Sequence, residues 1–186
     1  MRTLAVVALI TGLLAGCGAS SAASAPPAST PVPTAEQAFN PTDLAWVELM
    51  VPMDEQLLRV LGLATRQAAD PAVRKLAAQV SAGHRAELAQ LVALRTEGGA
   101  PTTNLHEGHD MPGMMTEPEI VALSKTRGAD FDRIFEKNLK EHLDQSIVVA
   151  RGIATAGKEP AVKKLAASIE TSRATQLKQL AALSNG

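Results

Sequence analysis

Aromatic side chains make up only 2% of this chain: three Phe, one Trp and no Tyr. That scarcity excludes a stacking platform for nucleic-acid bases. The net charge of −1 offers no basic face for a phosphate backbone. Cys17 is the only cysteine, so disulfides and thiolate metal sites within the mature chain are excluded. No Gly-rich phosphate loop follows a strand signal, and no Ser-His-Asp grouping has a recognisable setting.

What is there begins with an export signal. Met1-Arg2 precedes an apolar run from Leu4 to Leu14, too short for a permanent membrane span. Leu14-Ala15-Gly16-Cys17 resembles a bacterial lipobox, in which the cysteine becomes the lipidated first residue. Residues 1–17 are therefore expected to be a lipoprotein signal peptide. Residues 18–38, rich in Ser, Ala, Pro and Thr, cannot bury enough apolar surface to fold and read as a disordered tether. Residues 39–186 are one domain by length.

That domain repeats itself. Pro71-Ala72-Val73-Arg74-Lys75-Leu76-Ala77-Ala78 returns as Pro160-Ala161-Val162-Lys163-Lys164-Leu165-Ala166-Ala167, an offset of 160 − 71 = 89 residues. The same offset pairs Gln56 with Gln145 and Leu88, Leu91 and Leu94 with Leu177, Leu180 and Leu183. A unit this long is a helical hairpin rather than one solenoid turn. Helix starts are written as a capping residue before proline: Asn40-Pro41, Asp70-Pro71 and, with capping-box spacing, Thr116-Glu117-Pro118-Glu119. Helices are expected over 41–68, with a kink at Pro52, then 71–95, a short one to Lys125, 129–155 and 160–183. The fold class is all-α: an antiparallel, ferritin-like four-helix bundle of two duplicated hairpins. Repeat 1 covers 39–97 and repeat 2 covers 128–186, with a Met/His loop and short helix over 98–127.

The apolar stripes carry polar residues at one level. Val73, Leu76 and Val80 continue into His84 and Glu87; Phe131, Phe135 and Leu139 into His142; Val162, Leu165 and Ile169 into Arg173 and Gln176. Buried alone, such groups cost several kcal/mol, so they must be mutually satisfied, hydrated or metal-bound. Met50, Met53, His84, Glu87 and His142 form one candidate metal set. The alternative is a structural layer in which the Arg173 guanidinium satisfies Glu87 and repels a cation.

The loop His106-Glu107-Gly108-His109-Asp110-Met111-Pro112-Gly113-Met114-Met115 holds two of four histidines and three of six methionines. Thioethers are soft ligands suited to Cu(I), and imidazoles suit Cu(I) or Cu(II), so His106, His109, Met111, Met114 and Met115 form a second candidate metal set. The alternative is that these methionines cap the bundle as flexible filler.

Gly108-His109-Asp110-Met111-Pro112-Gly113-Met114-Met115, with Gly128-Ala129-Asp130-Phe131-Asp132 after it, resembles the domain-of-unknown-function family 305. The resemblance covers nearly all of Phe39 to Leu183. It implies a secreted ferritin-like bundle in a family with copper-binding members, whose hairpins carry Met-x-x-His-His and Gln-x-x-Glu elements. Here Met53-Asp54 and His142-Leu143 stand where the histidine pairs belong. His84 to Glu87 and Arg173 to Gln176 stand for the Gln-x-x-Glu elements.

The sequence thus points to a lipid-anchored copper-binding protein on the extracytoplasmic face of a bacterial membrane, buffering or handing on the ion. It implies no organic cofactor, no nucleic-acid partner and no catalytic residue. The rival reading is a non-catalytic structural or protein-interaction lipoprotein with a degenerate metal site. The anchor is directly testable: Cys17→Ser should release the protein from membranes or block its maturation. An unmodified mature chain starting after Cys17, seen by mass spectrometry, would contradict it.

Overall fold

The structure, a computed structural model, describes residues 39–183. The expected signal peptide, the expected lipidation residue Cys17, the expected 18–38 tether and the last three residues of repeat 2 lie outside the described residues. Five helices follow in order: α1 Pro41–Gln67, α2 Pro71–Glu97, α3 Glu117–Lys125, α4 Gly128–Ala156 and α5 Pro160–Leu183. Each boundary lies within two residues of the sequence expectation. α1 does not end at Pro52, which is buried inside it. Among the described residues no helix is long and apolar enough to cross a membrane.

α1 packs on α2 and α4 on α5, the two hairpins of the repeat. Across the hairpins α1 faces α4 and α2 faces α5. A backbone bridge joins Ala68, just past α1, to Gly128, which opens α4, so those neighbours run antiparallel. The core falls into two apolar halves. One gathers Leu57, Val60, Leu61, Val80, Phe131, Phe135 and Leu139, closed by Ile120 and Leu123 of α3. The other gathers Trp46, Val47, Met50, Met53, Leu91, Ile153 and Ile169. Asp54, His84, Glu87, His142, Ser146 and Arg173 are buried at the level between them.

Helix ends show how the repeats lock. Asn40 Oδ1 accepts the Asp43 N–H at 2.8 Å, and the Asp43 carboxylate accepts the Asn40 N–H at 2.9 Å, a complete capping box. The Asp43 carboxylate is fully buried and also accepts the N–H groups of Lys158 and Glu159 at 3.1 Å, in the turn before α5. Asp132 lies one repeat offset on from Asp43. Its carboxylate accepts the N–H groups of Ala69 and Asp70 at 2.9 and 2.8 Å, in the turn before α2. Each repeat therefore closes the other's inter-helix turn.

Hydrogen bonds to a charged acceptor contribute about 1.5–3 kcal/mol each, and their buried donors are costly to orphan. Asp43→Ala and Asp132→Ala should each cost about 3 kcal/mol in urea unfolding, and Asp→Asn somewhat less. A loss below about 0.5 kcal/mol in either would show that the turns hold without these carboxylates.

Candidate metal centre in the polar layer

The polar layer is built from all four long helices. His84 comes from α2 and is fully buried. Its Nδ1 donates to the Val80 carbonyl one turn back at 3.0 Å, which leaves Nε2 as the lone-pair nitrogen. His142 comes from α4, and its Nδ1 donates to the Gly113 carbonyl at 3.2 Å. The two rings lie 5.6 Å apart between centroids, tilted by 51°. Arg173 of α5 is 1% exposed and grips Glu87 of α2 with both terminal nitrogens, at 2.9 and 2.5 Å. The same guanidinium reaches Asp54 of α1 at 3.4 Å, and Asp54 lies 3.9 Å from His84 Nε2.

The protonation states follow from burial. Desolvation, then the charge of Glu87 and a hydrogen bond to it, raise the Asp54 carboxyl to about 9 against the opposing pull of Arg173. Desolvation, then Arg173 and then His142, lower His84 to about 2. Desolvation and Arg173 lower His142 to about 3. At neutral pH both rings are neutral and Asp54 holds a proton.

Among the buried side-chain atoms without a hydrogen-bond partner are His84 Nε2, His142 Nε2 and Asp54 Oδ2, together with Arg173 Nε of the same layer. One ligand atom each from Asp54, His84 and His142 lies within 4.8 Å of the other two, and this is the only such His/Cys/Asp/Glu group among the described residues. Ions hold such ligands about 2 Å away, so a bound ion would draw the three slightly inward. Orphaned lone pairs inside a protein demand a reason, and two imidazoles with a carboxylate fit a transition metal. The guanidinium beside them opposes one.

Of the bundle set read from the sequence, His84 and His142 supply donors to this group. Glu87 is occupied by Arg173. Met50 and Met53 are buried in the adjoining apolar half. Asp54 was not in that set. The 89-residue offset places it opposite Leu143, and it follows Met53, the counterpart of His142; that correspondence was the signal available in the sequence.

The loop set is more dispersed. Met115 is buried in the apolar core, and Met114 packs partly buried against the other half. Gln56 stitches the loop to α1: its Nε2 donates to the Met115 carbonyl at 2.5 Å and its Oε1 accepts the Met115 N–H at 2.7 Å. Gly113 has φ +77°, and a side chain there would meet Gln145 at 2.6 Å, so only glycine lets the loop lie this close to α4. Half-buried His106 and exposed His109 line a groove of about 550 Å³ with Met114 and Met115. Met111 lines a separate groove of about 720 Å³ with Met114 and Met115. A void of about 20 Å³, room for one water, lies between Met114, Met115 and His142. The loop thus roofs the polar layer and holds one of its rings.

The family model for the domain of unknown function DUF305 matches residues 43–184. No curated protein matches the sequence. Among solved structures, the fold is similar to that of a DUF305 protein from Streptomyces coelicolor, predicted to be secreted. Identity is 19% and TM-score 0.69, with 76% of this chain and 91% of that one covered. It is similar also to CopM in its Cu(I)-bound form, with 21% identity, TM-score 0.63, and 76% and 94% coverage. The Cu(II)-bound form of CopM gives 23% identity, TM-score 0.65 and the same coverage.

The layer's titrations set a pH signature for the ion-free protein. Unfolded histidine titrates near pH 6.5, so between about pH 3 and 6.5 the unfolded chain binds more protons at His84 and His142 and stability rises with pH. Asp54 acts oppositely: from about pH 4 to 9 the folded chain holds the extra proton and stability falls as pH rises. Two rings outweigh one carboxyl up to about pH 6.5, and beyond it Asp54 acts alone, so urea midpoints measured with a chelator should peak near there. Asp54→Asn should flatten the alkaline limb; an unchanged limb would mean that Asp54 is ionised in the fold.

Proposed function

We propose that this chain, which belongs to the DUF305 family, is an extracytoplasmic, membrane-anchored copper-binding protein that buffers or hands on the ion without turning over a substrate. The observation that carries this reading is the convergence of one ligand atom each from Asp54, His84 and His142 within 4.8 Å of one another in the buried polar layer, with both imidazole Nε2 atoms unpaired. The Met/His loop above them adds soft ligands at the surface, with His106, His109 and Met114 on one groove. CopM, whose fold this chain shares, is a protein with Cu(I)- and Cu(II)-bound forms. The lipobox at Cys17, and a similar protein predicted to be secreted, support a place outside the cytoplasm. Oxidase chemistry at a di-iron centre needs several inward carboxylates. The layer offers two, and Arg173 grips one of them.

A second reading has its own support. Arg173 within 3.4 Å of Asp54 is what a purely structural layer would contain, in a lipoprotein that binds another protein instead of an ion.

Competition with a micromolar Cu(I) chelator separates the two. The copper reading expects wild type to compete and His84→Ala/His142→Ala to lose most of that capacity. Met111→Leu/Met114→Leu/Met115→Leu, which keeps apolar bulk, should change ion-free stability by less than about 1.5 kcal/mol. Any Cu(I) capacity that triple variant loses is the loop's share. A wild-type protein that does not compete leaves the interaction reading in its place.

A further inference from the structure

Two imidazoles and a carboxylate are a ligand set that usually suits a divalent transition metal. The charges around Asp54, His84 and His142 suit something else. Both rings are neutral donors, each with its Nδ1–H engaged by a backbone carbonyl. Asp54 and Glu87 offer two negative charges when ionised, and Arg173 supplies one positive charge against both. An ion that binds Asp54 displaces its proton to solvent, and one negative charge is then left for that ion to balance. Arg173 is 1% exposed, held by two carboxylates, and its guanidinium stays charged in any protein. Its place in the repeat is informative: it lies one offset on from His84. Where the first repeat turns an imidazole into the layer, the second turns in a fixed cation.

We propose that Arg173 sets the charge of the ion this layer accepts, admitting a soft monovalent cation such as Cu(I) or Ag(I) and rejecting divalent ions. The proposal rests on the reading that the layer binds metal at all. A monovalent ion brings the buried layer to neutrality. A divalent ion leaves one uncompensated charge in an apolar interior, a few ångström from a guanidinium. That repulsion amounts to on the order of 100-fold in affinity. Glu87 takes part without touching the ion: Arg173 occupies both its oxygens, and it acts as a charge-balancing residue.

Equilibrium titrations of the full chain with Ag(I) and with Co(II), whose visible spectrum reports binding, test this. His84→Ala/His142→Ala gives the loop's contribution to subtract. Wild type is expected to bind Ag(I) and to leave Co(II) unbound at concentrations that saturate Arg173→Gln. That single change should raise Co(II) affinity on the order of 100-fold. Glu87→Gln keeps a hydrogen-bond acceptor for Arg173 but neutralises the layer, and should weaken Ag(I) at least tenfold or so. Glu87→Gln/Arg173→Gln restores a single negative charge and with it the preference for Ag(I). Should Arg173→Gln fail to fold, Glu87→Gln and the double variant read the same charge count. Wild type binding Co(II) as tightly as Ag(I), or an Ag(I)/Co(II) ratio that ignores these substitutions, overturns the proposal and leaves the copper-binding reading standing. Wild type binding neither ion overturns both.

Discussion

The structure turns on a guanidinium buried between two carboxylates. Arg173 is among the largest fully buried side chains, and it meets Glu87 of α2 and Asp54 of α1 from its place on α5. Three of the four long helices thus converge on one cation. Burial of such a group is rarely a net gain in stability over apolar packing. It does fix the helices in register: a shift by one turn on any of them would strand a charge in an apolar half of the core. Burial keeps both rings neutral, with the Arg173 charge adding to that effect, and burial with the Glu87 charge keeps a proton on Asp54 against the pull of Arg173.

The two repeats have kept their frame and parted in their interior. Asp43 and Asp132 still make matching bonds to matching turns. At the layer, Met53 stands against His142, Asp54 against Leu143, His84 against Arg173 and Glu87 against Gln176. Each of these pairs changes charge or ligand type. A symmetric layer could hold two equal sites; this one has a fixed cation bonded to two carboxylates and two neutral imidazoles with unpaired Nε2 atoms. The loop joins the asymmetry, because the Gly113 carbonyl engages His142 and, among the described residues, no equivalent segment covers the opposite face.

The helices were legible because their signals are local: a capping residue before each proline start, apolar residues at helical spacing, and a repeat that states each pattern twice. His84, Glu87, His142 and Arg173 were legible as polar breaks in apolar stripes, and so was the pairing of Glu87 with Arg173. Asp54 was not, for a physical reason. Residues 50 to 54 are buried one after another, so α1 has no solvent face at that level against which a stripe could be read. The loop contacts beside it, through Gln56 and Gly113, likewise span long sequence separations. Asp43 and Asp132 likewise look like ordinary acidic residues near helix starts. Their second partners lie across the bundle, and only the repeat offset ties them together.

The reciprocal carboxylates bear on how such a chain arose. Neither hairpin completes its own turn; each needs an aspartate from the other. Those bonds do not depend on the 98–127 connection, and two identical chains of one hairpin apiece would satisfy them equally as a twofold dimer. Duplication and fusion of such a gene would preserve every one of these contacts. It would also release the two halves from being identical. An arginine facing the axis of a symmetric dimer always meets its own copy. Only a fused chain can carry an arginine in one half and a different residue at the matching place in the other, and the polar layer depends on that freedom.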